Sequence, residues 1–200
     1  MTPSLFTEPR ELLPVDGSAI LHEQFLHPND ADHAFRDLFE TTPWESHDII
    51  VFGQKHREPR LSTWHGDEGV RYTYSNLERI PIGWTPVLQR LRESCERVCG
   101  ATFNSVLVNL YRDGNDGVGW HADDERENGP QPVIASLSLG ASRRFDFQHR
   151  VLKRVESVQL NAGDLIVMSG ASQSHWVHRI AKTKRQVGPR INLTFRKVIG

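Results

Sequence analysis

Hydrophobic positions recur along this chain with two periods, and the change between them divides it into regions. Over residues 85–100 the period is helical: Val87, Leu88, Leu91, Cys95 and Val98 share one face, Thr85 stands as N-cap, Pro86 takes the first helical position and Gly100 supplies the stop. A shorter helix is predicted where Ala34, Phe35, Leu38 and Phe39 form a stripe behind Asn29 and Asp30, which offer its N-cap. Between the helices, IIVFGQKH (49–56) and VRYTYSN (70–76) are aromatic and β-branched and read as strands or hairpins, joined by polar sequence containing Pro59 and Gly66.

Beyond Gly100 the pattern is all strand. Short runs at 103–111, 133–139, 144–151, 155–160, 164–169, 175–180 and 190–198 are separated by Gly, Asp, Asn or Pro. The first 20 or so residues, with Pro3, Pro9 and Pro14 and little periodicity, read as an arm whose loss should cost little. The expected architecture is α+β and mainly β, with two helices packed on a sandwich of about eight short strands. Residues 1–45 are expected to be an arm and helix, and residues 46–200 the functional domain.

Two runs alternate in an informative way. In FNSVLVNLY, Val106, Val108 and Leu110 face one side while Asn109 and Tyr111 face the other. In RINLTFRKV, Ile191, Leu193 and Phe195 share the apolar side and leave Arg190, Asn192, Thr194 and Arg196 together. Such a polar row faces water in an ordinary antiparallel sheet, and lines a polar cavity in a barrel-like sandwich.

Composition narrows the class. With 200 residues, 38% hydrophobic and 24% charged, the chain is an ordinary globular protein, not collagen-like, coiled-coil or wholly disordered. It has no apolar run long enough to span a membrane and no secretory leader pattern at its start, so it is expected in the cytosol, nucleoid-associated in a bacterium or nuclear in a eukaryote, with no membrane partner and as a monomer. Cys95 and Cys99 are spaced as reduced helix residues, not as a zinc motif. The net charge of −1 conceals an asymmetry: residues 1–50 hold ten acids and two bases, the remainder fifteen acids and twenty-two bases. Arg143 to Arg154 and Arg179 to Lys197 are the most basic stretches, and suit either phosphate or a solvated strand face.

Candidate chemistry lies in GWHADDERENG. His121 and Asp123, two residues apart in an extended segment, project to the same side. A third ligand is available in HWVHR, from His178 or from His175 on the opposite strand face. Two His and one carboxylate with open positions suit non-heme iron(II), and the same set can hold zinc. An oxygenase that uses a 2-oxo dicarboxylic acid also needs a fixed cation for the carboxylate that does not reach the metal. Arg190 and Arg196 supply a fork of this kind, with Tyr111 and Asn109 adding neutral hydrogen bonds.

The set NLYRDGNDGVGWHADDE, IASLSLGASRRF, HWVHRI and PRINLTFRKV resembles the AlkB family of nucleic-acid dealkylating dioxygenases, over about residues 50–199. The resemblance implies a double-stranded β-helix (jelly-roll) core flanked by helices, with an N-terminal hairpin lid for the nucleotide at about 46–80. It implies His121, Asp123 and His178 as iron(II) ligands and Asn109, Tyr111, Arg190, Thr194 and Arg196 as 2-oxoglutarate residues, Arg196 matching the anchor of the distal carboxylate. It also implies Asp124 as a contact of the damaged base, Tyr72 and Tyr74 as lid residues, Arg60 at a DNA-facing position and Phe52 as a wedge in the duplex.

The implied activity is oxidative demethylation of bases such as 1-methyladenine and 3-methylcytosine in DNA, with Fe(II) as metal and O2 and 2-oxoglutarate as co-substrates. Formaldehyde, succinate and carbon dioxide are the products. Phe52 beside Gly53 points to duplex DNA, whereas GASQSHWVHR is nearer to relatives that prefer single strands and RNA. A dioxygenase of the same fold acting on RNA or protein, and a nucleic-acid binding module with a structural metal, are the alternatives.

Overall fold

Seven antiparallel strands form the larger of two sheets, and their order shows which sequence runs are central. The computed structural model describes residues 8–51, 54–70, 72–74, 77–79 and 81–199, without the side chains of 49–51, 54–56, 72–74 and 77–79. In the large sheet β8 (Ser105–Tyr111) lies between β5 (Leu61–Gly66) and β15 (Arg190–Arg196). Beyond β15 follow β10 (Ile134–Gly140), β13 (Leu165–Ser169), β2 (Ser18–His22) and β1 (Arg10–Glu11). The smaller sheet has the order β12 (Val155–Leu160), β11 (Arg143–His149), β14 (Trp176–Ile180) and β9 (Val118–His121). Two antiparallel sheets around one apolar layer make this a jelly-roll core.

The central strands of the large sheet are buried on both faces for different reasons. Val106, Val108, Leu110, Ile191, Leu193 and Phe195 pack against two helices, α1 (Pro28–Thr41) and α2 (Pro86–Cys99). In α2 the local chemistry is as the sequence predicts: Thr85 Oγ1 accepts from the Leu88 N–H at 3.3 Å, and Gly100 takes the left-handed conformation, φ 59°, that favours glycine at a helix end. The first helix starts two residues earlier than predicted, with His27 as N-cap and Pro28 in the first turn. On the other face Tyr111, Ile134, Phe147, Met168, Trp176 and Ile180 fill the space between the sheets.

The N-terminal region departs from expectation. Residues 18–22 are not an arm but a strand paired with β13, and Ala19 and Leu21 are fully buried in the inter-sheet core. The polar stretch read as a connection before residue 70 contains β5, an edge of the large sheet paired with β8. Two hairpins, β3 (Asp48–Val51) with β4 (Gln54–Arg57) and β6 (Tyr72–Tyr74) with β7 (Leu77–Arg79), account for the aromatic runs between the helices. His175 ends the short helix α3 (Ser172–His175) and does not belong to the strand that carries His178.

Candidate active site

Pairing of β9 with β14 sets two histidines side by side. His121, the last residue of β9, lies opposite His178, and their ring centroids are 4.4 Å apart. The chain stays extended past His121, so Asp123 returns to the same side. Asp123 is 4% exposed, and its backbone N–H donates to Gln173 Oε1 at 2.9 Å. The three ligand atoms lie within 4.8 Å of one another.

Proton placement suits this set to a metal. His121 Nδ1 lies 2.9 Å from the Gly119 carbonyl, so Nδ1 carries the proton and Nε2 keeps its lone pair. Asp123 Oδ1 accepts from Arg196 Nη2 at 2.7 Å, while Oδ2 lies 3.8 Å from His178 Nε2. Burial works to raise the Asp123 pKa, but Arg196 and then the two histidines outweigh it and hold the carboxyl well below its usual range. Burial first, then His121, pushes His178 down to about 3, with Asp123 working in the opposite direction. Both groups therefore stand deprotonated at neutral pH, the form that binds a metal ion.

In a second cluster among the described residues, Asp16, His149 and His175, one ligand-type atom of each likewise lies within 4.8 Å of the others. His149 Nδ1 accepts the N–H groups of Val151 and Leu152 at 3.2 and 3.0 Å, so its proton sits on Nε2 and is donated to Asp16 Oδ2 at 3.1 Å. No lone pair on that ring remains for a metal, and the cluster is a structural tie between the 14–17 turn and the small sheet.

Beside the iron-type ligands the polar faces of β8 and β15 line a cavity of about 100 Å³. Asn192 organises one wall: its Nδ2 donates to Thr194 Oγ1 at 2.9 Å, and its Oδ1 accepts from Ser136 Oγ at 3.2 Å and Arg190 Nη2 at 2.8 Å. Arg190 is fully buried, with its guanidinium carbon 5.3 Å from the Tyr111 ring centroid. Its Nη2 also donates to Ser138 Oγ at 2.9 Å, yet Nε and Nη1 have no hydrogen-bond partner among the described residues. Burial pushes its pKa down to about 10, Tyr111 opposing and Arg143 adding to the effect. A buried charge without its partner costs about 3–5 kcal/mol, so this guanidinium calls for an anionic ligand such as a carboxylate.

Acidic residues also line the cavity. Arg60 Nε donates to Asn109 Oδ1 at 2.9 Å and Arg60 Nη2 to Glu58 Oε1 at 3.2 Å, and Glu125 lines the same space. Asn128, 4% exposed, orients that acid by donating from Nδ2 to Glu125 Oε2 at 2.9 Å and to the Asp123 carbonyl at 3.3 Å.

The 2OG-Fe(II) oxygenase superfamily matches residues 18–196. Over 181 residues the chain is 43% identical to DNA oxidative demethylase ALKBH2 of Mus musculus, which covers 85% of this chain and 76% of that protein. The chain belongs to the AlkB family of 2OG-Fe(II) oxygenases. ALKBH2 of Homo sapiens is 40% identical over 85% of the chain and 69% of its own length. Alpha-ketoglutarate-dependent dioxygenase alkB homolog 3 of Homo sapiens is 39% identical over 189 residues, 89% of this chain and 65% of that one. The backbone also resembles OsALKBH1, with a TM-score of 0.66, 16% identity, and coverage of 90% and 97% of the two chains, a likeness of fold.

In this AlkB-family chain the predicted residues meet in one place, with three shifts. His121, Asp123, His178, Asn109, Tyr111, Thr194 and Arg196 all line the cavity, and Arg190 lies behind Tyr111. Arg196, expected at the distal carboxylate, instead holds the ligand Asp123 at the metal end, because β15 places it at the far end of the polar row from Arg190. Asp124 turns outward and pairs with Arg150 at 2.6 Å, since alternation that brings Asp123 inward must send its neighbour out. Glu125, one residue further, faces in. Arg60, expected to face DNA, is 7% exposed and points into the cavity. Tyr72 and Tyr74 lie on β6, but their side chains are outside the described residues, as is Phe52 altogether.

Alternation counted on from Asp123 would have found Glu125. No sequence signal marks Asn128 or Gln173, which act through contacts made only after folding.

Proposed function

We propose that the chain oxidatively demethylates N-alkylated bases in DNA, of the 1-methyladenine and 3-methylcytosine type, as an Fe(II)- and 2-oxoglutarate-dependent dioxygenase. The observation that carries this reading is a two-His one-carboxylate set at a cavity whose lining residue Tyr111 is backed by the buried Arg190 guanidinium, with no partner for its Nε or Nη1 among the described residues. The relatives that share most of the chain are named for this chemistry.

His121, Asp123 and His178 hold the metal. Arg190 and Tyr111 take the distal carboxylate of 2-oxoglutarate, and Asn109, Asn192 and Thr194 line the path from that end to the metal. Arg196 keeps Asp123 oriented so that one carboxylate oxygen is left for the metal. When bound, iron with 2-oxoglutarate and oxygen supplies the oxidation that hydroxylates the N-methyl carbon, with succinate and carbon dioxide as co-products. The hydroxymethyl group then leaves as formaldehyde and restores the base. The protein's part is to position the methyl group and exclude water.

Methylation at N1 of adenine or N3 of cytosine makes the base cationic and spoils its pairing edge, so it is extruded at low cost and favours an acidic pocket. Glu125, held by Asn128, and Glu58 supply that acidity. Tyr72, Tyr74 and Phe52 are assigned to the nucleotide lid by family resemblance.

Succinate production tests this reading. A methylated oligonucleotide should stimulate turnover of 2-oxoglutarate several-fold over the same unmethylated strand. Equal turnover with both strands would remove the alkylated base as substrate.

A further inference from the structure

Glu58 is an acid in the cavity wall that neither the metal nor the co-substrate uses. It follows β4 in the loop leading to β5, where its backbone N–H donates to the His47 carbonyl at 2.8 Å. The residue is 4% exposed. One carboxylate oxygen, Oε1, accepts from Arg60 Nη2 at 3.2 Å, and Arg60 is also engaged with Asn109. The other oxygen, Oε2, is buried and has no hydrogen-bond partner among the described residues. Leaving a carboxylate oxygen buried without a donor is expensive, and native chains rarely do so without cause.

The position of this oxygen supplies a cause. Glu58 lines the same cavity as His121, Asp123 and Glu125, so a residue with an acceptor that the described residues do not satisfy borders the space assigned to the extruded base. We infer that Glu58 is a specificity-determining residue whose Oε2 accepts a hydrogen bond from the exocyclic amino group of the alkylated base. The inference rests on the proposed demethylase reading.

It selects amino-bearing, cationic bases such as 3-methylcytosine and 1-methyladenine. A base with a carbonyl at that edge, such as 3-methylthymine, would set two acceptors face to face with no proton between them. Inside a desolvated pocket such a clash is a strong source of discrimination.

The test compares kcat/KM for two single strands that differ only in carrying 3-methylcytosine or 3-methylthymine, with wild type, Glu58→Val and Glu58→Gln. Wild type should prefer 3-methylcytosine. Glu58→Val should lower that preference about tenfold or more, chiefly by loss on 3-methylcytosine. Glu58→Gln keeps an acceptor and adds a donor, so it should gain activity on 3-methylthymine. Because each ratio is taken on one sample, loss of folded protein cancels. A ratio within about twofold of wild type in both variants would overturn the inference and leave Glu58 as a partner of Arg60 alone. Wild type that demethylates neither strand would overturn the demethylase reading, and this inference with it.

Discussion

Arg190 and Arg196 stand on one face of one strand, and their partners give them different work. Arg196 is bonded to Asp123 of the metal-ligand set, whereas Arg190 is fully buried with two nitrogens unmatched among the described residues. Arg190→Met should therefore raise the KM for 2-oxoglutarate by roughly 10–100-fold, the scale of a lost charge-assisted bond, with little change in iron affinity. Arg196→Met should instead weaken iron binding by roughly 10–100-fold, as loss of a partner behind a ligand does. Iron titration and 2-oxoglutarate kinetics on both variants check the pair, and the reverse pattern would restore Arg196 as the distal anchor. Both arginines were legible as a polar strand face. Which one reaches the metal was not, because that depends on where β9 is hydrogen-bonded to β14 and how far Asp123 projects, neither of which the spacing within β15 contains. Asp124 and Glu125 differ in the opposite way: period-two alternation already separates them, and only the weight given to family position favoured the outward residue.

At the scale of elements, strands were readable where one face is apolar and the other polar. Val106, Val108 and Leu110 against Asn109 and Tyr111 in β8 fix both its existence and its orientation. β5 was missed because Ser62, Thr63 and His65 are all buried, so polar residues occur where burial would predict apolar ones. They are tolerated because Thr63 Oγ1 donates to the Pro43 carbonyl at 2.7 Å and His65 Nδ1 bonds the Gly83 carbonyl at 2.9 Å. β2 was missed because five residues between Gly17 and Glu23 are too few to establish a period after a proline-rich start. Its packing makes the opposite prediction from a dispensable arm. Leu21→Ala should destabilise the fold by about 2–5 kcal/mol and lower Tm by roughly 5–15 °C. A thermal melt that moves by less than about 2 °C would return this segment to the status of an appendage.

For the whole molecule, charge counted along the sequence overstates the basic surface. Of the two basic stretches, Arg143 is buried and donates to the Asp113, Asp116 and Ala181 carbonyls, and Arg190 and Arg196 are inside. Arg144 and Arg179 share the buried Asp146. The exposed cations of the second stretch include Lys182, Lys184 and Arg185, in the loop between β14 and β15. Much of the basic character thus lies in the interior, where Arg196 holds the Asp123 carboxylate. No described helix is long and apolar enough to cross a membrane.

Intact mass of an oligonucleotide carrying one 3-methylcytosine, incubated with the protein, iron(II), 2-oxoglutarate and air, tests the central claim most directly. The account predicts loss of one methylene mass that requires both iron and 2-oxoglutarate and disappears in Asp123→Ala. An unchanged mass with the metal and co-substrate present, on both single and double strands, would contradict it.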